Sequence, residues 1–339
     1  MPYFDIDTEE KIIKEFQKRV FWSQSDLSMK KTPKSVIYSK FFEPFTITEA
    51  FKFGRIFHSY LLEPEKFQDE YFCFSDAKKI EELIKGGAKS PRSTKDYKEW
   101  KKELFDSNNA IDVDTEEDWH KSRKQKMKVM CNTDTLDAVK EMKKSMEENM
   151  PLSTLMSLEH GIVEKKYSAL ILFTSDSLNV DIFPYDEDAH AQFLKEKKRF
   201  LLIRTKPDYI RDTFEYLADY KSADKGGANQ EEFERNAYKY DHHIQVAMEL
   251  DIISAHCGQD IDQFFYLVCE KVPPYECNYF QVSQEVIEYG KRVYRIRLRK
   301  LLEDFEKRRF ESYGGTYAEN QHKLLEMRLP KWYNDQPKF

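Results

Sequence analysis

The chain has 339 residues, of which 40% are hydrophobic and 34% are charged, and its formal net charge at pH 7 is −6. This composition is typical of a soluble globular protein with a sizeable core, and no apolar run approaches the roughly 18 residues of a membrane span. The five cysteines are scattered without a C-x-x-C pair, which argues against a disulfide framework, a zinc ribbon and an iron–sulfur cluster, and the acidic balance argues against a protein that coats nucleic acid by bulk charge.

The first part of the chain has helical patterns. Predicted helices are one capped by Asp7 or Thr8 that ends near Val20, one that follows Pro33, and one over about 46–62 that stops before Pro64. Residues 76–149 are strongly charged, with helical periodicity interrupted near Gly86-Gly87 and near 107–109. We expect this stretch to form a helical layer with a polar outer face.

Strand patterns begin at about Gly161. Strands are predicted over 162–173, 200–205, 209–210, 214–219 and 264–270, with a short helix or charged loop at 184–198 and long helices over 229–253 and 282–309. This order predicts an α/β fold with a central mixed β-sheet flanked by helices and a helical N-terminal part. Because no linker divides the chain, we expect one domain over 1–339, with the helical part at about 1–150, the core at about 151–310 and a tail at 311–339.

Two short segments, KPDYI and ADYKS, contain the acids Asp208 and Asp219 and the lysine Lys221. On a β-strand, Asp219 and Lys221 point to the same face because they are two positions apart. A carboxylate pair with a neighbouring lysine can hold a divalent metal and activate water against a phosphodiester. Each residue alone has a plainer interpretation, Asp208 as a turn residue and Asp219 with Lys221 as a salt pair on an edge strand.

A hard divalent cation prefers about six oxygen-type ligands, so more than two carboxylates are needed. The backbone carbonyl of Tyr220 is a candidate, and so is Glu164 at the start of the preceding strand, with Glu159 as the alternative. Lys221 could orient or deprotonate the attacking water, or neutralise charge in the transition state, and the sequence leaves these roles open.

His58 lies in an apolar helical segment with Gly54 at its middle, and it is either a core histidine or a metal ligand. Glycine inside a helix costs about 1 kcal/mol relative to alanine, so we expect a close approach to the sheet or to a ligand at Gly54. Gln245 follows a row of tyrosines and histidines that forms ordinary helix surface or faces the metal and a DNA strand.

Taken together, seven segments resemble the exonuclease VIII (RecE-type) family, a phage and prophage branch of the PD-(D/E)xK nuclease superfamily. In order they are FGRIFHSYLLEPEKF, GIVEKKYSAL, IRTKPDYI, LADYKSA, AYKYDHHIQVA, FFYLVCEKVPPYE and LPKW. The likeness extends from about Ser25 to Trp332 and implies a restriction-endonuclease-like core.

The resemblance also implies roles for individual residues. The positions that match the family's Mg²⁺ ligands are His58, Asp208 and Asp219. Lys221 matches the catalytic lysine, Glu164 the strand glutamate and Gln245 the glutamine of the following helix. Mg²⁺ is the implied cofactor, with Mn²⁺ as a substitute.

The implied activity is processive 5′→3′ digestion of linear double-stranded DNA, which leaves a 3′ single strand for recombination through an annealing partner. The resemblance also implies that the protein forms homo-oligomeric rings through which DNA threads. It further implies that the protein acts in the cytoplasm of a bacterial host. Three departures stand out: Glu249 occupies the position of a frequent tyrosine, Ser222 that of a frequent threonine, and the charged stretch 185–198 is extra. Rival interpretations are an endonuclease of the same superfamily and a non-cleaving DNA-binding or counter-defence protein on the same fold.

Overall fold

A computed structural model describes residues 12, 14–155, 157–174, 179–308 and 310. The predicted helix cap at Asp7 or Thr8 and the C-terminal residues 311–339, including Trp332, lie outside the described residues. The described part is an α/β protein with several mixed or parallel sheets and many helices. None of its helices is both long and apolar enough to cross a membrane.

The two helices predicted after Pro33 and over about 46–62 are confirmed. The first elements are β1 (Phe21–Trp22), α1 (Pro33–Phe41), α2 (Glu49–Leu62) and α3 (Pro64–Glu70). Thr32 and Thr48 cap α1 and α2 by accepting hydrogen bonds from backbone N–H groups of the first turn. α2 ends just before Pro64, as expected from the restriction that proline places on the preceding residue.

The expectation of a purely helical layer up to residue 149 is wrong. The segment contains β2 (Tyr71–Phe74), α4 (Ala77–Lys85), α5 (Lys95–Ser107), β3 (Ala110–Ile111), α6 (Glu116–Gln125), β4 (Lys128–Asn132), α7 (Thr133–Glu148) and α8 (Met150–Leu155). The three strands form a parallel sheet in the order β2-β4-β3. They have two to five residues each, too few to show an alternating pattern within such charged surroundings.

The second half of the chain supplies most of the other strands. Its elements are β5 (Gly161–Val163), β6 (Tyr167–Phe173), β7 (Val180–Pro184), α9 (Glu187–Lys195), β8 (Phe200–Thr205), β9 (Tyr209–Arg211), β10 (Leu217–Ala223), α10 (Gln230–Lys239), α11 (His242–Cys257), β11 (Phe264–Glu270), β12 (Cys277–Gln281) and α12 (Gln284–Glu306). The strands at 200–205 and 264–270 have the predicted bounds, and 184–198 contains a helix.

The predicted central sheet is divided into two mixed sheets, with strand orders β1-β8-β6-β7 and β12-β11-β10-β9-β5. β5 pairs with β9 in one sheet and β6 pairs with β8 in the other, both antiparallel and in the same register. The two pairings therefore join the sheets. Pairing stops between Val163↔Tyr209 and Tyr167↔Thr205, so residues 164–166 lie opposite 206–208 without strand pairing. We call these six residues the ladder break. A single predicted strand over 162–173 is therefore two strands.

The single helix predicted over 229–253 is also two helices, α10 and α11. Between them Asp241 adopts φ 59°, in the left-handed region that ends regular helices. The Asp241 carboxylate accepts hydrogen bonds from Ser28 Oγ (2.7 Å) and from the backbone N–H of Met29 (3.0 Å). These long-range contacts stabilise the bend between α10 and α11. Helical periodicity in the sequence could not have predicted them. α11 is buried along most of its length in the main core.

Candidate metal centre

The ladder break places two carboxylates close together. Glu164 has φ 52°, and its backbone N–H donates to the carbonyl of Asp208 at 3.2 Å. Regular strand pairing is interrupted here, beside the five-stranded sheet. The side chains of Glu164 and Asp208 therefore converge. The alternative acid, Glu159, is exposed in a short 3-10 helix (Leu158–His160) ahead of β5.

His58 reaches this carboxylate pair from α2. Its Nδ1 lies 3.1 Å from Asp208 Oδ1 and 3.5 Å from Glu164 Oε1. Its Nε2 is 2.9 Å from the carbonyl oxygen of Tyr220, and because a carbonyl only accepts, Nε2 carries the proton. If the ring is neutral, the lone pair of Nδ1 faces the two carboxylates. This arrangement is favourable only when a proton or a cation lies between them.

The donor set fits a divalent cation. Ligand atoms of His58, Glu164 and Asp208 all lie within 4.8 Å of one another. Two carboxylates and one imidazole suit Mg²⁺ or Mn²⁺ when water and phosphate oxygens complete the shell. The carbonyl of Tyr220, predicted as a ligand, orients the imidazole here and keeps its second lone pair.

The electrostatics of the pair agree with this geometry. Burial opposes the charged form of His58, but Asp208 and Asp219 together outweigh burial and raise the imidazole pKa above its ordinary value. Burial also opposes ionisation of Asp208, yet His58, Lys221 and a hydrogen bond from the Tyr220 N–H (2.8 Å) hold the carboxyl pKa below its usual range. The centre therefore keeps Asp208 as a carboxylate and attracts positive charge.

Asp219, Lys221 and Gln245 form a connected group next to the trio. Lys221 Nζ lies 2.6 Å from Asp219 Oδ2, as expected for two side chains on the same face of β10. Gln245 Nε2 donates to Asp219 Oδ1 at 2.5 Å, and Lys221 Nζ donates to Gln245 Oε1 at 3.2 Å. Burial alone would lower the Lys221 pKa, but Asp219 and Asp208 raise it, so the ammonium form is favoured.

Two further residues of the centre were not predicted. Lys206 forms an ion pair with Glu164 from the other side of the ladder break. Glu249, one helical turn after Gln245, accepts from Gln245 Nε2 at 3.1 Å and from Thr205 Oγ1 at 3.3 Å. Lys206 directly precedes the Pro-Asp pair and Glu249 follows Gln245 by four positions, so proximity in the sequence was a usable signal for both.

The close approach to the sheet that was one expectation for Gly54 is not found. A Cβ atom built at Gly54 would meet no atom within 4 Å among the described residues, so contact with the sheet does not explain the glycine. Gly54 lies one turn before His58 on the same side of α2. The alternative expectation, a close approach to a ligand, stays a prediction.

Comparisons with known proteins add the following. No protein-family model matches the chain. No curated protein matches it either. A solved structure of a candidate exonuclease from Eubacterium rectale is similar at a TM-score of 0.48 and 10% identity, over 97% of this chain and 94% of that chain. At this TM-score the likeness identifies neither a fold nor an activity, so the side chains of the centre carry the functional assignment.

Proposed function

We propose that this protein is a divalent-metal-dependent deoxyribonuclease with a PD-(D/E)xK site. The observation that carries the proposal is the convergence of His58, Glu164 and Asp208 at the ladder break, with Asp219 and Lys221 on the next strand. Acids that share one small volume with a histidine and a protonated lysine are expensive to bury, and such groups concentrate where proteins bind ions and perform chemistry.

His58 Nδ1, Glu164 and Asp208 would hold Mg²⁺, or Mn²⁺ in its place, and Asp219 would complete the acidic side of the site. A divalent cation bound there supplies a Lewis acid for the phosphodiester. The Nε2–H···O=C contact with Tyr220 fixes the imidazole so that Nδ1 faces the carboxylates. This type of outer contact keeps a ligand histidine in one tautomer.

Lys221 is the residue to which we assign the catalytic role. Its ammonium is held between Asp219 Oδ2 and Gln245 Oε1, and it lines a cavity of about 440 Å³. Lys225, Lys239 and Lys271 line the same cavity, where they outnumber the acids Asp224 and Glu232, and we call it the basic cavity. A phosphodiester backbone is the polyanion that such a surface attracts. From this position Lys221 would donate to a phosphate oxygen as charge develops in the transition state.

The finer part of the proposal depends on the family resemblance. We infer an exonuclease that digests linear double-stranded DNA from 5′ to 3′ and leaves 3′ single strands for an annealing partner. A homo-oligomeric ring and action in the bacterial cytoplasm, as part of DNA recombination by a phage or prophage, belong to the same inference.

The test is a time course on linear blunt-ended duplex beside a closed circle of the same sequence, with Mg²⁺ and with chelator. Wild type is compared with Lys221→Ala and with Lys85→Ala, which removes an exposed surface lysine of α4. We expect wild type and Lys85→Ala to digest the linear duplex when metal is present, and to leave the circle intact. Lys221→Ala should digest neither substrate.

Other outcomes have definite meanings. Cutting of the circle would replace exonuclease with endonuclease. Binding of DNA without cleavage in Mg²⁺ or Mn²⁺ would favour a non-cleaving DNA-binding or counter-defence protein. Full activity in Lys221→Ala would show that the catalytic assignment is wrong.

A further inference from the structure

A second cavity, of about 640 Å³, lies among α10, the start of α11, β12 and the start of α12. Rings make up much of its lining, and we call it the aromatic cavity. The aromatic and histidine side chains that line it are Phe233, Tyr238, His242, His243, Tyr266, Tyr279 and Phe280. Its volume is in the range of small-ligand pockets, which are typically concave and mostly apolar.

Two tyrosines of this lining are exposed. Tyr238 on α10 retains 54% of its surface and Tyr279 on β12 retains 41%. Phe233 and Phe280 are instead stacked on each other, with ring centroids 4.6 Å apart, and form part of the wall. The exposed pair leaves flat aromatic faces available to a planar group.

His243 adds a polar feature to the lining. It is only 4% exposed, yet neither ring nitrogen has a hydrogen-bond partner within the part of the chain that the structure describes. Burial lowers its pKa, so the ring is neutral at pH 7 and offers one donor and one acceptor. Both nitrogens are closed to solvent, and the ring lies 5.7 Å from the Tyr238 ring and 5.2 Å from the Tyr289 ring between centroids, so His243 forms part of the cavity wall.

The aromatic cavity borders the basic cavity, which contains Lys221 of the proposed reaction centre. Phe233, His242 and the ring of Tyr266 form the shared boundary, since the first two line both cavities and Lys221 Nζ lies 5.8 Å from the Tyr266 ring centroid. A strand whose phosphates occupy the basic cavity beside Lys221 would therefore bring an adjacent base to the aromatic rings.

We propose that the aromatic cavity binds an unpaired nucleobase of a strand whose backbone occupies the basic cavity. The proposal rests on the proposed function and adds a substrate class, namely nucleic acid with at least one unpaired base near the reacting phosphate. Tyr238 and Tyr279 supply stacking faces for the base. A base at the end of a duplex must first leave its pair and its stack to enter, because its faces and edges are otherwise engaged.

The test is binding in chelator, so that it does not depend on cleavage. The probe is a fluorescent oligo-dT single strand, and its affinity is measured for wild type, Tyr279→Ala, Tyr238→Ala and Tyr279→Phe. Tyr38→Ala is the matched control, because Tyr38 is also 54% exposed but lies on α1, outside the cavity. We expect a loss of about 5- to 150-fold for each alanine variant of the cavity, the range given by base–aromatic stacking.

Tyr279→Phe and Tyr38→Ala should bind as wild type does. An abasic residue scanned through the oligonucleotide should weaken wild-type binding at one position and have no effect in Tyr279→Ala. Equal affinity of all variants, or no binding of the single strand, would overturn the proposal. Competition by free dTMP as effective as by the strand would assign the cavity to a nucleotide and overturn the strand assignment. Tyrosine-dependent binding in a protein that never cleaves would sustain this proposal while the nuclease proposal fails.

Discussion

Glu249 shows how strongly the interior of the centre acts on one residue. It is buried beside Gln245 and Thr205, and burial, together with the charges of Asp219 and Asp208, raises its pKa to about 8. At neutral pH the carboxyl group is therefore largely protonated, whereas in the unfolded chain it is ionised above about pH 4.5.

This difference gives a pH prediction. Because the folded pKa is raised, the contribution of Glu249 to stability is fully present below about pH 4.5 and is lost as pH rises toward about 8. Glu249→Gln keeps an oxygen acceptor but cannot ionise. We expect the variant to resemble wild type near pH 4.5 and to exceed it by a few kcal/mol at pH 8 in urea unfolding with chelator. Equal stability at both pH values would show that Glu249 is not the titrating group.

The proximity of single residues in the proposed centre was easier to predict than the contacts that connect them. Asp208, Asp219 and Lys221 lie together as expected from the spacing of two short motifs. The tautomer of His58, in contrast, depends on a carbonyl that is 162 positions away in the chain, and no local pattern encodes that contact.

Two glycines inside helices allow a matched test of element packing. A Cβ at Gly54 in α2 meets nothing within 4 Å, whereas a Cβ at Gly290 in α12 would lie 2.1 Å from the His243 carbonyl oxygen. Both changes to alanine gain the same helix propensity, about 1 kcal/mol. We expect Gly54→Ala to raise the free energy of unfolding by about that amount and Gly290→Ala to lower it by about 1–3 kcal/mol.

Chemical denaturation of the two variants measures this contrast. Destabilisation by Gly54→Ala would contradict the open space at this position. A cleavage defect in a stabilised Gly54→Ala protein would instead place substrate in the space beside His58.

The sequence predicted whether a segment is a helix or a strand better than it predicted where one element ends and the next begins. Most helices and long strands have the expected type, but the ladder break and the bend at Asp241 divide elements whose periodicity runs on through them. The cysteines give a similar lesson. They appear scattered in the sequence, yet Cys73 on β2 lies directly opposite Cys131 on β4, and Cys269 on β11 lies opposite Cys277 on β12. The thiols are free, and strand register alone makes them neighbours.

The whole molecule should respond to divalent metal. Because α2 and the ladder break contribute the proposed ligands to one volume, an ion at this site would bind the folded state and not the unfolded chain. Mn²⁺ at a hundredfold excess over its Kd should stabilise the protein by about 2.7 kcal/mol, seen as a higher Tm.

Asp208→Asn should lose most of this increase in Tm. Asp212→Asn is its control, because it changes a half-exposed aspartate just after β9 that pairs with His160 outside the trio. The absence of a Tm increase with Mg²⁺ and Mn²⁺ in wild type would contradict the assignment of the metal ligands, whatever the activity.

The long sequence separation within the centre has a consequence for how the protein is made. α2 is synthesised early, the ladder break much later, and Gln245 later still, so only a fragment that spans both α2 and Gln245 contains the full set of groups. A growing chain on the ribosome carries the histidine without the acids, whereas a product of proteolysis that has lost α2 carries the acids without the histidine. If the protein is the nuclease proposed above, its activity would begin only with the completed fold, and the DNA of the cell that synthesises it would be protected from unfinished copies.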